Sequence, residues 1–492
     1  MTRPLLAGLD TEYGLVIEAR SAENLLDDAR EFVCAYPGEA VVTWDYRHES
    51  PRNDLRGFRL DALATDPEDA KFDAGRASLP AHVERADRIL TTGGRLYNDH
   101  GHPEYATPEC LTLDGLVRHD RLGERVMRQC ADALSAKTGR AVRVYKNNTD
   151  FHGAAWGSHE SYLVPREIGY PALFAAVVPM LVARLILTGA GKVGSETGTR
   201  CAYQLSQRAD FIVEPANAET LYRRPLFNTR DEPHAAAGTF TRLHVIPGDS
   251  NMIPSATARK VGLVKLALAL AADGEVPRWE LADPVRAFQS VSRDDRYRFE
   301  IALKGGSWTT GEEILESYFS AAERTLELEP ELQALIAECR QLRAAMRDNF
   351  AAFARHVDWA AKRRMLEVVM EAESLDWNAP SLRSYDMEYH LLDDEEGLFP
   401  AMEAEGMVEA AALTGPDDLS PEPSRALVRS LAVRHFPLAI LTAGWRSLTM
   451  RHPDTDAPVE LDLPPDRTYA VEPDALGDVR LFIQAVQALA AR

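Results

Sequence analysis

The stretch of residues 95–110 constrains this chain most, because it concentrates charged and polar side chains where a buried strand would carry aliphatic ones. It reads Arg-Leu-Tyr-Asn-Asp-His-Gly-His-Pro-Glu-Tyr-Ala-Thr-Pro-Glu-Cys. Its start alternates as a strand does, which predicts that Arg95, Tyr97 and Asp99 share one face. In a concave site Asp99 could serve as base, nucleophile or metal ligand, with Glu104 returned toward it by the proline-containing turn. A salt-bridged surface turn fits this stretch alone equally well.

Two further acids belong to a predicted strand near the start of the chain. Residues 4–19 are rich in strand formers and alternate imperfectly, which would project Asp10 and Glu12 from the same face. Two carboxylates on one strand face can share divalent cations through hard oxygen ligands. Taken without other information, such a pair is more often an exposed surface feature.

Two arginines in later predicted strands are candidates for binding phosphate or a terminal carboxylate. Residues 201–213 and 224–230 read as strands and carry Arg208 and Arg230. Their guanidinium groups are planar bidentate donors that suit both kinds of anion. An ion pair with Asp210 or Asp231 is a comparable alternative for each arginine.

Two long segments set the organisation around these strands. Residues 44–88 contain many charges and prolines and few apolar runs, which predicts a long loop that is either functional or disordered. Residues 258–370 carry apolar side chains at intervals of three and four and are predicted to be mainly helical. Acidic connections at residues 393–396 and 415–423 predict a boundary before a final small domain.

Composition excludes some classes of partner. The chain has 492 residues, 45% of them hydrophobic, which is enough for a large core and two or more domains. Its net charge is 55 − 76 = −21, so its field repels nucleic acid. A phosphate-bearing ligand would therefore require local arginines and a divalent cation.

Cysteine spacing indicates a reducing compartment. The five cysteines are widely spaced and form no Cys-x-x-Cys pair, which argues against a disulfide framework or a structural zinc. Residues 1–8 lack the basic start, apolar stretch and cleavage site of a signal peptide, so we expect a cytoplasmic protein. Residues 170–189 are strongly apolar, but Pro179 and Arg184 interrupt them, which favours a buried helix over a membrane span.

Beyond these patterns, the chain resembles the Pup ligase and Pup deamidase/depupylase family, relatives of the glutamine-synthetase-type carboxylate-amine ligases. The similarity runs over nearly the whole chain and is carried by motifs in order. They are Gly8-Leu-Asp-Thr-Glu-Tyr-Gly14, residues 97–110, Lys146-Asn-Asn-Thr-Asp150, Gly157-Ser-His-Glu160, Gln204-Leu-Ser-Gln-Arg208, Asn228-Thr-Arg-Asp-Glu-Pro-His234 and Arg242-Leu-His-Val-Ile246 with Gly248-Asp-Ser-Asn251.

The resemblance implies an α+β fold. The expected architecture is a glutamine-synthetase-like large domain, residues 1–420, with a mainly antiparallel curved sheet packed by helices, and a small C-terminal α/β domain, residues 421–492. An insertion at about 40–88 would lie over or beside the active site as a lid or regulatory segment. Expected cofactors are ATP or ADP with magnesium. Expected partners are Pup and pupylated proteins, with no nucleic acid and no membrane.

The resemblance also implies roles for individual residues. Asp99 would be catalytic, Arg208 and Arg230 would bind substrate, and the nucleotide would contact Arg95, Thr107 and Trp445. The metal ligands would be Asp10, Glu12, Tyr97, Glu104, His159 and His244. The family usually has glutamate where this chain has Asp10, and the shorter side chain, by about an ångström, puts the metal geometry or affinity in question.

Two activities share the site in this family. The ligase uses ATP to join the C-terminal glutamate of Pup to a lysine, and the deamidase converts a C-terminal glutamine of Pup to glutamate and cleaves Pup from lysines. The segment Trp44-Asp-Tyr-Arg-His-Glu-Ser-Pro51 resembles the long insertion that marks the deamidase branch, so we expect a deamidase and depupylase. Asn148-Thr149-Asp150 reads more like the ligase. The alternatives are a Pup–protein ligase or a non-catalytic Pup-binding homologue.

Overall fold

The computed structural model describes residues 5–49, 52–63, 79–232, 234, 238–409 and 419–491. Residues 50–51 and 64–78 of the predicted insertion, and residues 410–418 of the predicted connection before the final domain, lie outside the described residues. The lid or regulatory role expected of the insertion stays a prediction.

The strands are β1 (Ala7–Glu12), β2 (Gly14–Ile17), β3 (Ala40–Val41), β4 (Arg88–Leu90), β5 (Arg95–Asp99), β6 (His102–Ala106), β7 (Val142–Tyr145), β8 (Ser158–Pro165), β9 (Lys192–Val193), β10 (Tyr203–Gln204), β11 (Glu214–Asn217), β12 (Pro225–Asn228), β13 (Phe240–Val245), β14 (Glu300–Ala302), β15 (Trp308–Thr310), β16 (Ile440–Ala443), β17 (Ser447–Arg451) and β18 (Pro458–Asp462). The α-helices span Leu25–Cys34, Ala81–Glu84, Leu113–Thr138, Gly169–Thr188, Pro254–Ala272, Pro284–Ser292, Gly311–Thr325, Pro330–Asp348, Phe350–Ala354, Asp358–Glu373, Ser381–Glu388, Leu398–Ala404, Arg425–His435 and Val479–Ala490.

A seven-stranded sheet organises the molecule, in the order β13-β8-β1-β6-β5-β4-β3. Every neighbouring pair in it is antiparallel. Together with the helices, this confirms the predicted α+β class and the mainly antiparallel sheet.

The hairpin between β5 and β6 is closed by His100 and Gly101, because Asp99 pairs directly with His102. Both turn residues have positive φ, 48° and 92°. Two-residue hairpin turns of this kind require positive φ at both positions. The turn that returns Glu104 toward Asp99 is therefore the His-Gly pair, and the first proline of the stretch lies inside β6.

One face of the sheet packs against long apolar helices. Leu9, Tyr162 and Leu243 point into this core and are almost fully buried. The segment Arg166–Thr188 is long and apolar enough to cross a membrane by composition, yet 78% of its most apolar window is buried inside the protein. It is a core helix of the kind the interrupted apolar segment predicted.

Three predicted elements differ in detail from the structure. Residues 4–19 form two strands, because the chain turns after Glu12 and β2 pairs with β7 in a separate sheet. Within residues 201–213 only β10 is a strand, since Asp210 is held by Lys192 and Arg293 in a 3-10 turn. The helical segment 258–370 is interrupted by the β14–β15 hairpin.

The C-terminal part forms an antiparallel three-stranded sheet, β16-β17-β18, with the helices Arg425–His435 and Val479–Ala490. Its hydrophobic core also includes Val41, Trp44 and Ile89 from the first quarter of the chain. Trp44 forms a parallel bridge with Ala443. The division at residues 420 and 421 stays a prediction, and this core crosses it.

Candidate active site

The register of the large sheet brings most of the predicted site residues onto the face opposite the apolar core. Glu12 is paired with Glu104, and Tyr97 is paired with Glu104 on its other side. Asp10 is paired with His159. Residues paired across strands project to the same side of a sheet. The residues that share this polar face are Asp10, Glu12, Arg95, Tyr97, Asp99, Glu104, His159 and His244.

Three carboxylates converge at one end of this face. Oxygens of Glu12, Asp99 and Glu104 lie within 4.8 Å of one another. The Tyr97 hydroxyl donates a hydrogen bond of 2.5 Å to Glu104 Oε1, and the Gly157 N–H donates one of 2.5 Å to Glu12 Oε2. Asp10 is not one of these three acids.

The electrostatics of this trio favour a bound cation. Burial raises the pKa of Glu104 well above its usual value, and the charges of Asp99 and Glu12 raise it further. Burial, followed by the charge of Asp99, raises the pKa of Glu12 to about 7. Hard carboxylate oxygens at this spacing are the ligand set that magnesium prefers, so the residues fit a divalent cation that would remove the repulsion.

Asp99 differs from the other two acids because cations lie beside it. His100 Nδ1 is 3.2 Å from Asp99 Oδ2, and Arg85 Nη1 is 3.5 Å from Oδ1. Burial would raise the pKa of Asp99, but the charges of His100 and Arg85 lower it far below its usual range. Its side chain is 21% exposed. Asp99 is thus an ionised and accessible carboxylate beside two buried acids.

Asp10 has a different set of partners. Arg242 Nη2 lies 3.2 Å from Asp10 Oδ2, and the Ser161 hydroxyl donates to the same oxygen at 3.3 Å. The other arm of Arg242 bonds Glu232 at 2.8 Å. Burial raises the pKa of Asp10 while Arg242 opposes that rise. The predicted metal role of Asp10 stays a prediction, and its present partner is an arginine.

The two predicted histidine ligands are adjacent. The rings of His159 and His244 lie 5.0 Å apart, edge to face. Burial and neighbouring arginines lower the pKa of both imidazoles well below the usual value, so both are neutral at pH 7. Within the described part of the chain, neither ring nitrogen of His244 has a hydrogen-bond partner, although both are buried. A neutral imidazole with a free nitrogen can ligate a metal.

A partly open cleft lies next to Asp10. Thr107 and Trp445, both predicted to contact nucleotide, line this cleft. Arg242 and Arg425 line it as well, each beside an acid of the same lining with which it pairs, Asp10 and Glu109 respectively. Its aromatic and cationic side chains suit a small phosphate-bearing ligand.

Arg95, the third residue predicted to contact nucleotide, is not part of the lining of this cleft. Its guanidinium is sandwiched between the rings of Trp44 and Tyr97, 4.0 Å from each ring centre. It also pairs with Asp87 at 2.6 Å. Trp44 in turn contacts Trp445, with ring centres 5.1 Å apart. Arg95 is thus connected to the cleft through Trp44.

The predicted substrate arginines both donate hydrogen bonds to neutral oxygen atoms. Arg208 is buried and donates to the Trp156 carbonyl. Burial, followed by the charge of Arg224, lowers the pKa of Arg208 to about 10. Arg230 donates to Thr220 Oγ1 at 3.1 Å and to the Ala218 carbonyl at 3.3 Å.

The alternative ion pairs proposed for these arginines involve aspartates that have other partners. Asp210 pairs with Lys192 at 2.9 Å, and Asp231 pairs with Arg166 at 2.9 Å. Arg230 does lie 3.6 Å from one carboxylate, that of Glu232. Arg208 therefore retains much of its capacity to bind an anion, whereas Arg230 shares its charge with Glu232.

Sequence reasoning missed several charged residues of the site. Arg242 could have been found, since it lies two positions before His244 on the same strand and shares its face. Arg85 follows a short helix outside the large sheet, and nothing in the local sequence pairs it with Asp99. Arg224 is another such residue, because its charge lowers the pKa of Glu12, His159 and Arg208.

Comparison with known proteins gives one matching family model, described as Pup-ligase protein, over residues 5–449. A depupylase from Acidothermus cellulolyticus is 34% identical over 469 residues, 92% of each chain. A Pup deamidase/depupylase from Mycobacterium tuberculosis is 34% identical over 464 residues, 90% of each chain. A Pup–protein ligase from Acidimicrobium ferrooxidans is 38% identical over 442 residues, 87% of this chain and 88% of the relative.

Two solved structures of the ligase PafA are similar in fold. The complex of PafA with Pup matches with a TM-score of 0.76 and 25% identity, covering 99% of this chain and 94% of the other. PafA in complex with ADP matches with a TM-score of 0.71 and 29% identity, covering 88% of this chain and 96% of the other.

Proposed function

The chain belongs to the Pup-ligase protein family, and we propose that within it the protein is an ATP- and magnesium-dependent deamidase and depupylase. It would convert the C-terminal glutamine of Pup to glutamate and cleave the isopeptide bond between Pup and a lysine. Relatives named depupylase or Pup deamidase/depupylase align over 90% or more of the chain. The observation that carries the proposal is Asp99, an ionised and accessible carboxylate beside two buried acids.

Asp99 would act on the amide carbon of the substrate. It would either attack that carbon directly or take a proton from a water molecule that attacks it. Both routes break the carbon–nitrogen bond and release ammonia from glutamine or the lysine amine from the isopeptide, with a proton from water passing to the leaving nitrogen. In the direct route the acyl group stays on Asp99 as an anhydride until water hydrolyses it, which releases the new carboxylate and restores Asp99. His100 and Arg85 support either role, because they keep Asp99 ionised at neutral pH.

Glu12 and Glu104 would hold magnesium, together with Tyr97, Asp10, His159 and His244. Bound magnesium would neutralise phosphate oxygens and stabilise negative charge that develops during the reaction. Thr107 and Trp445 would contact the nucleotide in the adjacent cleft, with Arg95 connected to them through Trp44. The fold similarity to PafA in complex with ADP supports a nucleotide site in this fold.

Arg208 and Arg230 would bind the terminal carboxylate of Pup and orient its side-chain amide toward Asp99. Both guanidinium groups lie close enough to the acid trio to interact with its charges. Arg208 lowers the pKa of Glu12, and Asp99 raises the pKa of Arg230. The partners would be Pup and pupylated proteins. A net charge of −21 argues against nucleic acid, and the cysteine pattern favours the cytoplasm.

A second candidate function is Pup ligation. It is favoured by the ligase from Acidimicrobium ferrooxidans, which is 38% identical, and by the PafA structures. The same polar face could direct the carboxylate of a Pup glutamate toward ATP and then toward a lysine. The two functions would share the polar face and its adjacent cleft and would differ in the end group of Pup.

An assay with two forms of Pup separates these candidates. The protein is incubated with ATP, magnesium and either glutamine-ended Pup or glutamate-ended Pup with a lysine-bearing target. A deamidase releases ammonia from the first mixture. If it is also a depupylase, it releases Pup from a preformed Pup–lysine conjugate that is added separately. A ligase accumulates conjugate in the second mixture with steady ATP turnover, and that result would refute the deamidase proposal.

A further inference from the structure

Glu109 lies three residues after the end of β6 and connects this part of the chain to the helix Arg425–His435. Its carboxylate accepts hydrogen bonds from Arg425 and from Arg429, and its carbonyl accepts one of 3.0 Å from Ser424 Oγ. Burial would raise the pKa of Glu109, but the two arginines lower it to about 2. Glu109 is therefore a partly buried anion held between two cations.

Arg429 contacts both Glu109 and Trp445, and Trp445 lines the cleft. Its side chain is fully buried, and its guanidinium lies over the indole of Trp445, 4.8 Å from the ring centre. The same guanidinium donates to the Trp445 carbonyl at 3.3 Å. A buried arginine held by a carboxylate at one side and stacked on an aromatic ring at the other fixes that ring in place.

A neighbouring acid joins the same two parts of the molecule by a different route. Glu422 accepts hydrogen bonds from the backbone of Leu111 and from the hydroxyl of Thr112, at 2.5 and 2.6 Å. These contacts lie at the start of the helix Leu113–Thr138 and do not include Arg429 or Trp445. Glu422 is thus a matched control for the attachment itself.

We propose that Glu109 is a positioning residue for nucleotide binding. By fixing Arg429, it holds Trp445 at the wall of the cleft in the orientation that contacts a nucleoside di- or triphosphate. The inference rests on the proposed nucleotide site. Glu109 thereby controls the orientation of a side chain more than three hundred positions away in the sequence.

The test compares nucleotide affinity in a double-mutant cycle. Dissociation constants for ADP and for ATP with magnesium are measured calorimetrically for the native protein, Glu109→Gln, Trp445→Ala and the double variant. Glu109→Gln is expected to weaken binding about tenfold, because one partner of a buried ion pair is lost. In the Trp445→Ala background the same change is expected to weaken binding less than about twofold, because the two residues act as one unit.

Controls separate positioning from general destabilisation. Glu422→Gln is expected to lower the melting temperature while nucleotide affinity stays within about twofold of native. Arg429→Lys keeps the charge but loses the planar stack, so it is expected to weaken nucleotide binding like Glu109→Gln. This second variant provides the measurement if Glu109→Gln fails to fold.

Three results would overturn the inference. The first is native affinity in both Glu109→Gln and Arg429→Lys. The second is an equal loss for Glu109→Gln in the native and Trp445→Ala backgrounds, and the third is an equal loss of affinity for Glu422→Gln. Either of the last two would mean that Glu109 only holds the structure together. Failure of the native protein to bind either nucleotide would instead overturn the proposed cofactor, and the role of Glu109 with it.

Discussion

The Tyr97 hydroxyl donates a hydrogen bond of 2.5 Å to Glu104 across the β5–β6 hairpin. Tyr97 is the second residue of an alternating triplet, and Glu104 follows the turn that reverses the chain. Because this bond favours the ionised form of Glu104, it opposes the rise in pKa that burial and the neighbouring acids cause. The pair is the structural basis for the expectation that a cation completes the site.

Removing this hydroxyl should weaken metal binding. In Tyr97→Phe the Glu104 carboxylate loses its hydrogen-bond donor, so it binds its proton more tightly. Magnesium then competes less well with that proton for the carboxylate. We expect about a tenfold or greater loss of magnesium affinity, measured by titration with Mn²⁺ as a spectroscopic substitute. Tyr105→Phe is the matched control, since Tyr105 lies on the opposite face of β6. Unchanged metal affinity in Tyr97→Phe would exclude this pair from the metal site.

Metal binding should release protons near neutral pH. Glu12 has a pKa of about 7 in the absence of a cation, and that of Glu104 is well above its usual value. Below these values the acids are protonated and must lose protons to bind magnesium, so affinity should fall as pH falls from 8 to about 6. Calorimetry in buffers of different ionisation enthalpy measures the protons released. Constant affinity with no proton release over this range would contradict the proposed ligand set.

The described part of the insertion should affect substrate binding through Arg230. Asp54 Oδ2 accepts a hydrogen bond of 2.6 Å from Thr229 Oγ1, and the Leu55 N–H donates one of 2.7 Å to the Thr229 carbonyl. The backbone of Asp54 also forms an isolated antiparallel β-bridge with that of Arg230. Asp54→Ala should therefore raise KM for Pup about three- to tenfold through loss of a buried polar contact, with kcat little changed.

Two comparisons check that prediction. Arg52→Ala is the control, because Arg52 bonds only within the insertion, to the Asp61 carbonyl, among its described side-chain contacts. Nucleotide affinity should be native in both variants, since neither residue lines the cleft. A fall in kcat with unchanged KM for Asp54→Ala would show that the insertion does not act through substrate binding.

Much of the site could be predicted, because alternate residues of a strand lie on the same face of the sheet. Arg95, Tyr97 and Asp99 share a face as predicted, and so do Asp10 and Glu12. The hairpin then places Glu104 beside them through a turn of only two residues. Local spacing was sufficient in each case, since antiparallel pairing keeps paired residues on the same side.

The rest depends on contacts that no local pattern encodes. Trp44 lies between Arg95 and Trp445 because the start of the insertion packs into the core of the C-terminal part. Arg242 pairs with Asp10, while Asp99 joins Glu12 and Glu104. These pairings follow from the relative positions of distant strands and loops, and family resemblance supplied the roles but not the partners.

The central claim is that Asp99 carries out the chemistry, and its most direct test is mass spectrometry of glutamine-ended Pup incubated with nucleotide and magnesium. With the native protein, Pup should gain about one mass unit as its terminal amide becomes an acid. With Asp99→Asn, turnover should fall by at least about a thousandfold while nucleotide affinity remains measurable. Conversion of Pup by Asp99→Asn at the native rate would contradict the account.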